Sequence, residues 1–188
     1  MSTSFRYTSA DLERLPYREG TRYEIIDGEL HVTTQPHHHH QYACSRLCIA
    51  LGVWCDQTGA GEVVFAPGLI FSPDNDVAPD LIWIRRDRLS NALDSGGHYR
   101  VAPDLVVEAL SPGSRNERRD REDKLALYSR QGVQEYWIVD WRTRRVDVYR
   151  RVGAALELAI NLQDDDVLSS PLLPGFTCPL SYLWSPVA

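Results

Sequence analysis

The segment Asp104–Leu110, DLVVEAL, constrains the fold more than any other stretch. Leu105, Val106, Val107, Ala109 and Leu110 make an apolar run of strand length with β-branched residues, the pattern of a strand buried on both faces. Glu108 interrupts it. A carboxylate in such a strand costs several kcal/mol unless a partner compensates its charge. The chain must therefore supply a cation, a bound metal or both near Glu108.

The remaining elements follow from periodicity and punctuation. Thr8 and Ser9 precede ADLERL and predict a short helix over 9–15, ended by Pro16. RYEIIDGELHVTT carries two alternating runs about Asp27-Gly28, predicting a hairpin with strands at 22–26 and 29–34. Cys44, Leu47, Cys48, Leu51 and Cys55 recur at helical spacing, so a helix is expected over 39–57 with Gly59 as its stop. EVVFAP, GLIFSP and PDLIWIRR are short strands separated by Pro67, Pro73 and Pro79. DREDKLALYSRQG predicts a helix over 117–131 stopped by Gly132. QEYWIVD and RVDVYRR are strands joined by a turn at Trp141–Arg144, followed by ALELAI and a tail rich in proline and leucine. This order predicts a mixed α/β fold of the α+β kind, with a central mixed sheet flanked by helices and an N-terminal β-hairpin. Its 188 residues are expected to form one domain, 1–188.

Three observations bound the function classes. Net charge is −6, which disfavours a passive nucleic-acid coat but not an enzyme that meets nucleic acid through a metal and a local basic patch. Arg115, Arg118, Arg119 and Arg121 offer that patch, interleaved with Glu117, Asp120, Glu122 and Asp123. No apolar run reaches membrane-spanning length and the N-terminus lacks a signal-peptide core, so a soluble, cytoplasmic protein is expected. The four cysteines form no C-x-x-C pair and read as buried helix-face thiols.

Two elements could bring partners to Glu108. Asp80 opens a strand on the face of Ile82 and Ile84. Lys124 shares a helical stripe with Leu127, Tyr128 and Gln131, and the apolar members of that stripe should dock on the sheet. If the strands of Asp80 and Glu108 are neighbours, two carboxylates point into one cleft, where hard oxygen ligands suit Mg²⁺. Carboxylate, carboxylate and lysine about one metal are suited to phosphodiester hydrolysis. Tyr128 and Trp137 are assigned to the core.

The pieces YEIIDGEL, a histidine before the first long helix, APDLIWI, DLVVEALSP, DKLALYSRQGVQEYWIVD and LPGF, in this order, resemble the PD-(D/E)XK nuclease superfamily. They are most similar to its large bacterial family of restriction-endonuclease-like proteins, over about residues 12–183. The resemblance makes Pro79-Asp80 the PD element and Glu108 the acidic residue of (D/E)XK. Leu110 stands where the motif has lysine, and Lys124 on the following helix takes that role. Glu24 matches a further family glutamate and His40 the family histidine. The resemblance implies metal-dependent hydrolysis of DNA, with Mg²⁺ or Mn²⁺ on Asp80 and Glu108, frequent homodimers, and substrate contacts from His40, Arg115, Arg118 and Arg119. His37–His40 read as a polar loop with His40 near the site, and as a tract able to bind Zn²⁺ or Ni²⁺ adventitiously. Two rival readings keep the fold: a non-catalytic module that binds nucleic acid or protein through Arg115–Arg121, and an assembly protein with a vestigial acidic cleft.

Overall fold

The computed structural model describes residues 5–16 and 18–187. Strands β1 (Arg22–Ile26) and β2 (Glu29–Thr33) form the expected hairpin. Asp27 and Gly28 turn it with φ of 49° and 77°, the left-handed pair that a two-residue turn between twisted strands requires. Helix α1 (Ser9–Leu12) precedes it and is shorter than its N-cap signal suggests. β4 (Leu69–Ser72), the expected GLIFSP strand, and β5 (Asn75–Val77), which the sequence reading does not contain, complete a four-stranded sheet ordered β2-β1-β5-β4.

The larger sheet contains β3 (Gly61–Phe65), β6 (Leu81–Arg85), β7 (Leu105–Ala109), β8 (Glu135–Asp140), β9 (Arg145–Val152) and β10 (Ala155–Gln163). Its order is β10-β9-β8-β7-β6-β3. Only β7 and β8 run parallel, and a parallel pair needs a crossover. The helical segment between them supplies it. The sheet is therefore mixed, as the element order predicts. Every residue of β7 is buried, Glu108 included.

Alternation along the strands sorts the core into two layers. Leu81, Trp83, Val107, Ala109, Trp137 and Val139 face α2 (His38–Thr58), whose buried stripe runs through Ala43, Cys44, Leu47, Leu51, Trp54 and Cys55. Ile82, Ile84, Val106, Tyr136 and Ile138 face the other way, onto Leu127 and Tyr128 of the crossover and onto Ile26, Leu69 and Val77 of the small sheet. Glu108 lies on the second face, with Val106. The C-terminal tail, without strands in the sequence reading, forms the pair β11 (Val167–Ser170) and β12 (Leu173–Pro179), which buries Leu168, Leu173, Phe176 and Cys178 against the α2 layer.

Two local readings are corrected. The histidine run is not a loop: His38–His40 make the first turn of α2, because His37, extended after Pro36, caps the helix and its ring accepts the His39 N–H at 3.2 Å. The crossover starts earlier than expected and is not uniform. It comprises α3 (Ser114–Arg118), one π-helical turn (Arg119–Asp123) and α4 (Lys124–Gln131). Cys44 and Cys55 are buried free thiols on α2, as read, Cys48 on the same helix is half-buried, and Cys178 is buried on β12 and not on a helix. Among the described residues no helix is long and apolar enough to cross a membrane.

A second buried acid lies away from these features. Glu135 accepts hydrogen bonds from Trp137 Nε1 at 2.8 Å, Arg150 Nε at 3.0 Å and Ser170 Oγ at 2.8 Å. It ties β8 to β9 and β11. Glu135→Ala strands the buried donors of Trp137 and Ser170 and frees the half-buried Arg150, and is expected to cost about 2–3 kcal/mol, measured as a lower urea midpoint at unchanged slope; an unaltered midpoint would show that this network is dispensable.

Candidate active site

The crossover begins where β7 ends, and its π turn decides where its side chains point. The Lys124 N–H donates to the Arg119 carbonyl, five residues back. The Asp120 carbonyl, released from the helical ladder, accepts the Tyr136 hydroxyl at 2.9 Å. One residue of slippage thus turns Arg119, Asp120 and Lys124 together toward the sheet, where all three are buried. Such π turns occur often at functional sites.

Lys124 is 1% exposed. Its Nζ lies 2.8 Å from Glu108 Oε1 and 2.9 Å from Glu24 Oε1. Glu108 Oε1 also accepts the Tyr128 hydroxyl at 2.9 Å, and Glu24 Oε1 accepts the Ala78 N–H at 2.9 Å. Arg119 pairs with Asp120 through two hydrogen bonds of 2.8 and 3.2 Å, and its NH1 lies 3.9 Å from Glu24 Oε2. Among the described residues no protein donor bonds the second oxygen of Glu108 or of Glu24.

Asp80 sits just before β6. Its Oδ2 accepts the Ala109 N–H at 2.9 Å, so it meets β7 one residue beyond Glu108. His40 Nε2 stands 3.2 Å from the same oxygen, and Arg22 NH1 lies 3.4 Å from Oδ1. Asp80, Glu108, Glu24, Lys124, His40, Arg119 and Arg22 all line one cleft of about 270 Å³.

The charges do not balance. Four carboxylates (Glu24, Asp80, Glu108, Asp120) face three permanent cations (Arg22, Arg119, Lys124), and the fourth group that can carry positive charge, His40, stands beside Asp80 and not beside Glu108. Burial raises the Asp80 carboxyl, but the His40 hydrogen bond and charge, the Ala109 amide and Arg22 outweigh it and hold it at about 2. Burial also raises Glu24, yet Lys124 and Arg119 bring it below its ordinary value. Glu108 takes the surplus: burial, with Asp80, Asp120 and Glu24 close by, overrides Lys124 and pushes it up to about 8. Burial works against the Lys124 charge, but Glu108 and Glu24 hold the ammonium above its usual range. Acids outnumber permanent cations around Glu108, and the free oxygens of Glu108 and Glu24, with the ionised Asp80 lining the same cleft, make a hard donor set that fits a divalent cation.

The structure thus gathers Asp80, Glu108, Lys124, Glu24 and His40 at one cleft, with Arg119 in its wall. Arg115 and Arg118 are not in it. They stand on the exposed face of α3, beside Glu29 at 3.5 Å and Glu122 at 3.1 Å. The sequence reading missed Arg22, which looks like an ordinary polar residue at a strand start, and Asp120, which vanished into a mixed-charge run. It assigned Tyr128 to the core correctly, but not the hydroxyl that reaches Glu108.

A mixed six-stranded sheet whose central strand presents a buried glutamate to a lysine and an aspartate defines a PD-(D/E)XK-like restriction-endonuclease fold. The family model described as "Uma2: Putative restriction endonuclease" matches residues 9–181, and the chain belongs to that family. A crystal structure of a "putative nuclease belonging to DUF820" from Anabaena variabilis is similar, with a TM-score of 0.73 at 18% identity, covering 94% of this chain and 97% of that one. No curated protein matches the chain.

Two predictions follow from the charge arrangement. Lys124→Met leaves Glu24 and Glu108 facing each other without their shared cation and should cost about 3–5 kcal/mol; adding Glu108→Gln should return part of it, and a purely additive pair in chemical denaturation would contradict the shared-ammonium reading. The second concerns pH. Glu108 goes from 4.5 unfolded to about 8 folded, so within that window the folded metal-free protein keeps a proton that the unfolded chain has released. Stability therefore falls as pH rises through it. Glu108→Gln should flatten this slope in melting curves recorded with chelator between those limits, leaving the part due to His40, which is also raised; an unchanged slope would place the titration elsewhere.

Proposed function

We propose that this protein is a metal-dependent endonuclease that hydrolyses DNA phosphodiester bonds, with Mg²⁺ as its ion and Mn²⁺ as a substitute. The observation that carries this reading is the cleft's surplus of acids over permanent cations around Glu108, with Asp80 lining the same cleft, in a member of a restriction-endonuclease family. A divalent cation held there by Asp80 and Glu108 supplies charge stabilisation at the phosphate and eases deprotonation of water.

The chain's own groups divide the remaining work. His40, Arg22 and the Ala109 amide fix Asp80 in its ionised form and aim it into the cleft. Lys124 spends two hydrogens on Glu108 and Glu24, which leaves the third for an attacking water or a phosphate oxygen. Glu24 holds the ammonium from the side opposite Glu108 and adds an acidic contact. Arg119, neutralised by Asp120, shapes the wall more than it attracts the backbone. Arg115 and Arg118 lie on the surface, where a long duplex could reach them as phosphate contacts. The net charge of −6 makes association strongly dependent on the cation, which screens the acidic cleft from the incoming phosphodiester.

Plasmid nicking tests the reading. Wild-type protein should nick supercoiled DNA with Mg²⁺ or Mn²⁺ and not with chelator. Asp80→Asn and Glu108→Gln should each lower the rate by at least about 100-fold while circular dichroism shows a folded protein. Nicking that survives in both purified variants, or none from wild-type protein under any divalent ion, would contradict the assignment; binding of DNA without Mg²⁺ response would favour the non-catalytic module.

A further inference from the structure

A second set of donors lies behind Asp80, on the α2 side of the cleft. His40 and Cys44 are four residues apart on α2 and so share one face. Both are buried, as is Asp80. One ring nitrogen of His40, the Cys44 sulfur and a carboxylate oxygen of Asp80 lie within 4.8 Å of one another. His40 Nε2 and Asp80 Oδ2 are 3.2 Å apart, and Cys44 Sγ is 3.8 Å from His40 Nδ1. Two ligands on a tetrahedral Zn²⁺ at about 2.0–2.1 Å are separated by about 3.3–3.4 Å. The His40–Asp80 pair therefore already stands at the edge length of such a site. The 3.8 Å sulfur contact is to the other ring nitrogen, so an ion on Nε2 requires the Cys44 side chain, whose sulfur is within the 4.8 Å span of the three donors, to turn until it stands about 3.6 Å from its neighbouring ligand nitrogen.

We propose that His40, Cys44 and Asp80 form a site for a thiophilic divalent cation of the zinc class, distinct from the hard-cation position between Asp80 and Glu108. The donor types separate the two. Imidazole and thiolate select zinc-like ions, whereas the all-oxygen side of the cleft suits Mg²⁺. Three protein ligands leave a fourth position, and His40 and Asp80 both line the cleft, so that position opens onto it. On binding, the ion takes the place of the proton between His40 Nε2 and Asp80: a charged ring releases that proton to solvent, a neutral ring carries its proton on Nδ1 instead, and in both cases the thiol proton passes to solvent. Asp80 then belongs to both positions, so zinc-class ions compete with or bridge to the Mg²⁺ position. The site does not rest on the nuclease reading, since it needs no DNA and no turnover.

Cobalt substitution tests it directly. Metal-free protein titrated with Co²⁺ alone should develop a near-ultraviolet thiolate-to-cobalt charge-transfer band, saturating at one ion per chain. Zn²⁺ should erase the band at stoichiometric amounts, whereas Mg²⁺, which shares only Asp80 with the site, should weaken it only in large excess. Cys44→Ser should abolish the band, and Cys48→Ser, at a half-buried neighbour, should keep it. His40→Ala should weaken Co²⁺ binding by more than the roughly 10–100-fold cost of losing an outer-shell partner, and it decides the question if Cys44→Ser fails to fold. Absorbance without a thiolate band would overturn the proposal and assign Co²⁺ to the tract of exposed His37 and His38 and half-buried His39. A band that survives Cys44→Ser, or Co²⁺ affinity undiminished in His40→Ala, would overturn it equally.

Discussion

One ammonium shared by two carboxylates holds the site together. Lys124 comes from the crossover helix, Glu24 from the small sheet and Glu108 from the centre of the large one. Its 2.8 and 2.9 Å contacts therefore lock three elements that otherwise meet through apolar packing. Leu127 and Tyr128, one turn further along α4, are fully buried against the same sheet and bring the ammonium into range. The hydrophobic layer positions the charges, and the charges specify which arrangement of that layer is acceptable. Removing any one member leaves a buried charge without compensation.

The lysine's origin has a structural consequence. Leu110 occupies the place that follows Glu108 by two residues, where the PD-(D/E)XK motif has lysine. It is fully buried, and its N–H donates to the Val139 carbonyl at 2.9 Å. The strand thus continues as apolar sheet, and the cation arrives from above instead. The π turn makes this approach possible, because it rotates Lys124 into line with Arg119 and Asp120, and Tyr136 satisfies the carbonyl that the slippage frees.

Much of this was legible in the residues. Glu108 in an apolar strand, Asp-Gly between alternating runs and the spacing of Leu47, Leu51 and Cys55 each point to one local structure, because side-chain periodicity reports burial. Asp80 and Lys124 could be paired with Glu108 since each has a definite face. The π turn left no trace, because a one-residue slip in the hydrogen-bond ladder changes no pattern of apolar residues. Arg22 and Asp120 were hidden for a related reason: their partners lie far away in sequence, and a charged residue looks the same whether solvated or buried. The strands β11 and β12 were obscured by Pro171, Pro174 and Pro179, which break the usual strand signal at an edge where proline is tolerated. The histidine run looked like a loop because composition says nothing about a helix that His37 caps and His38 begins.

The most direct test of the account is an anomalous diffraction map from crystals soaked in Mn²⁺. The charge deficit predicts a single strong peak within bonding distance of both Asp80 and Glu108, with the Glu24–Lys124–Glu108 bridge intact. A saturating soak that leaves this position empty, or a peak bound only to the exposed acids, would contradict it.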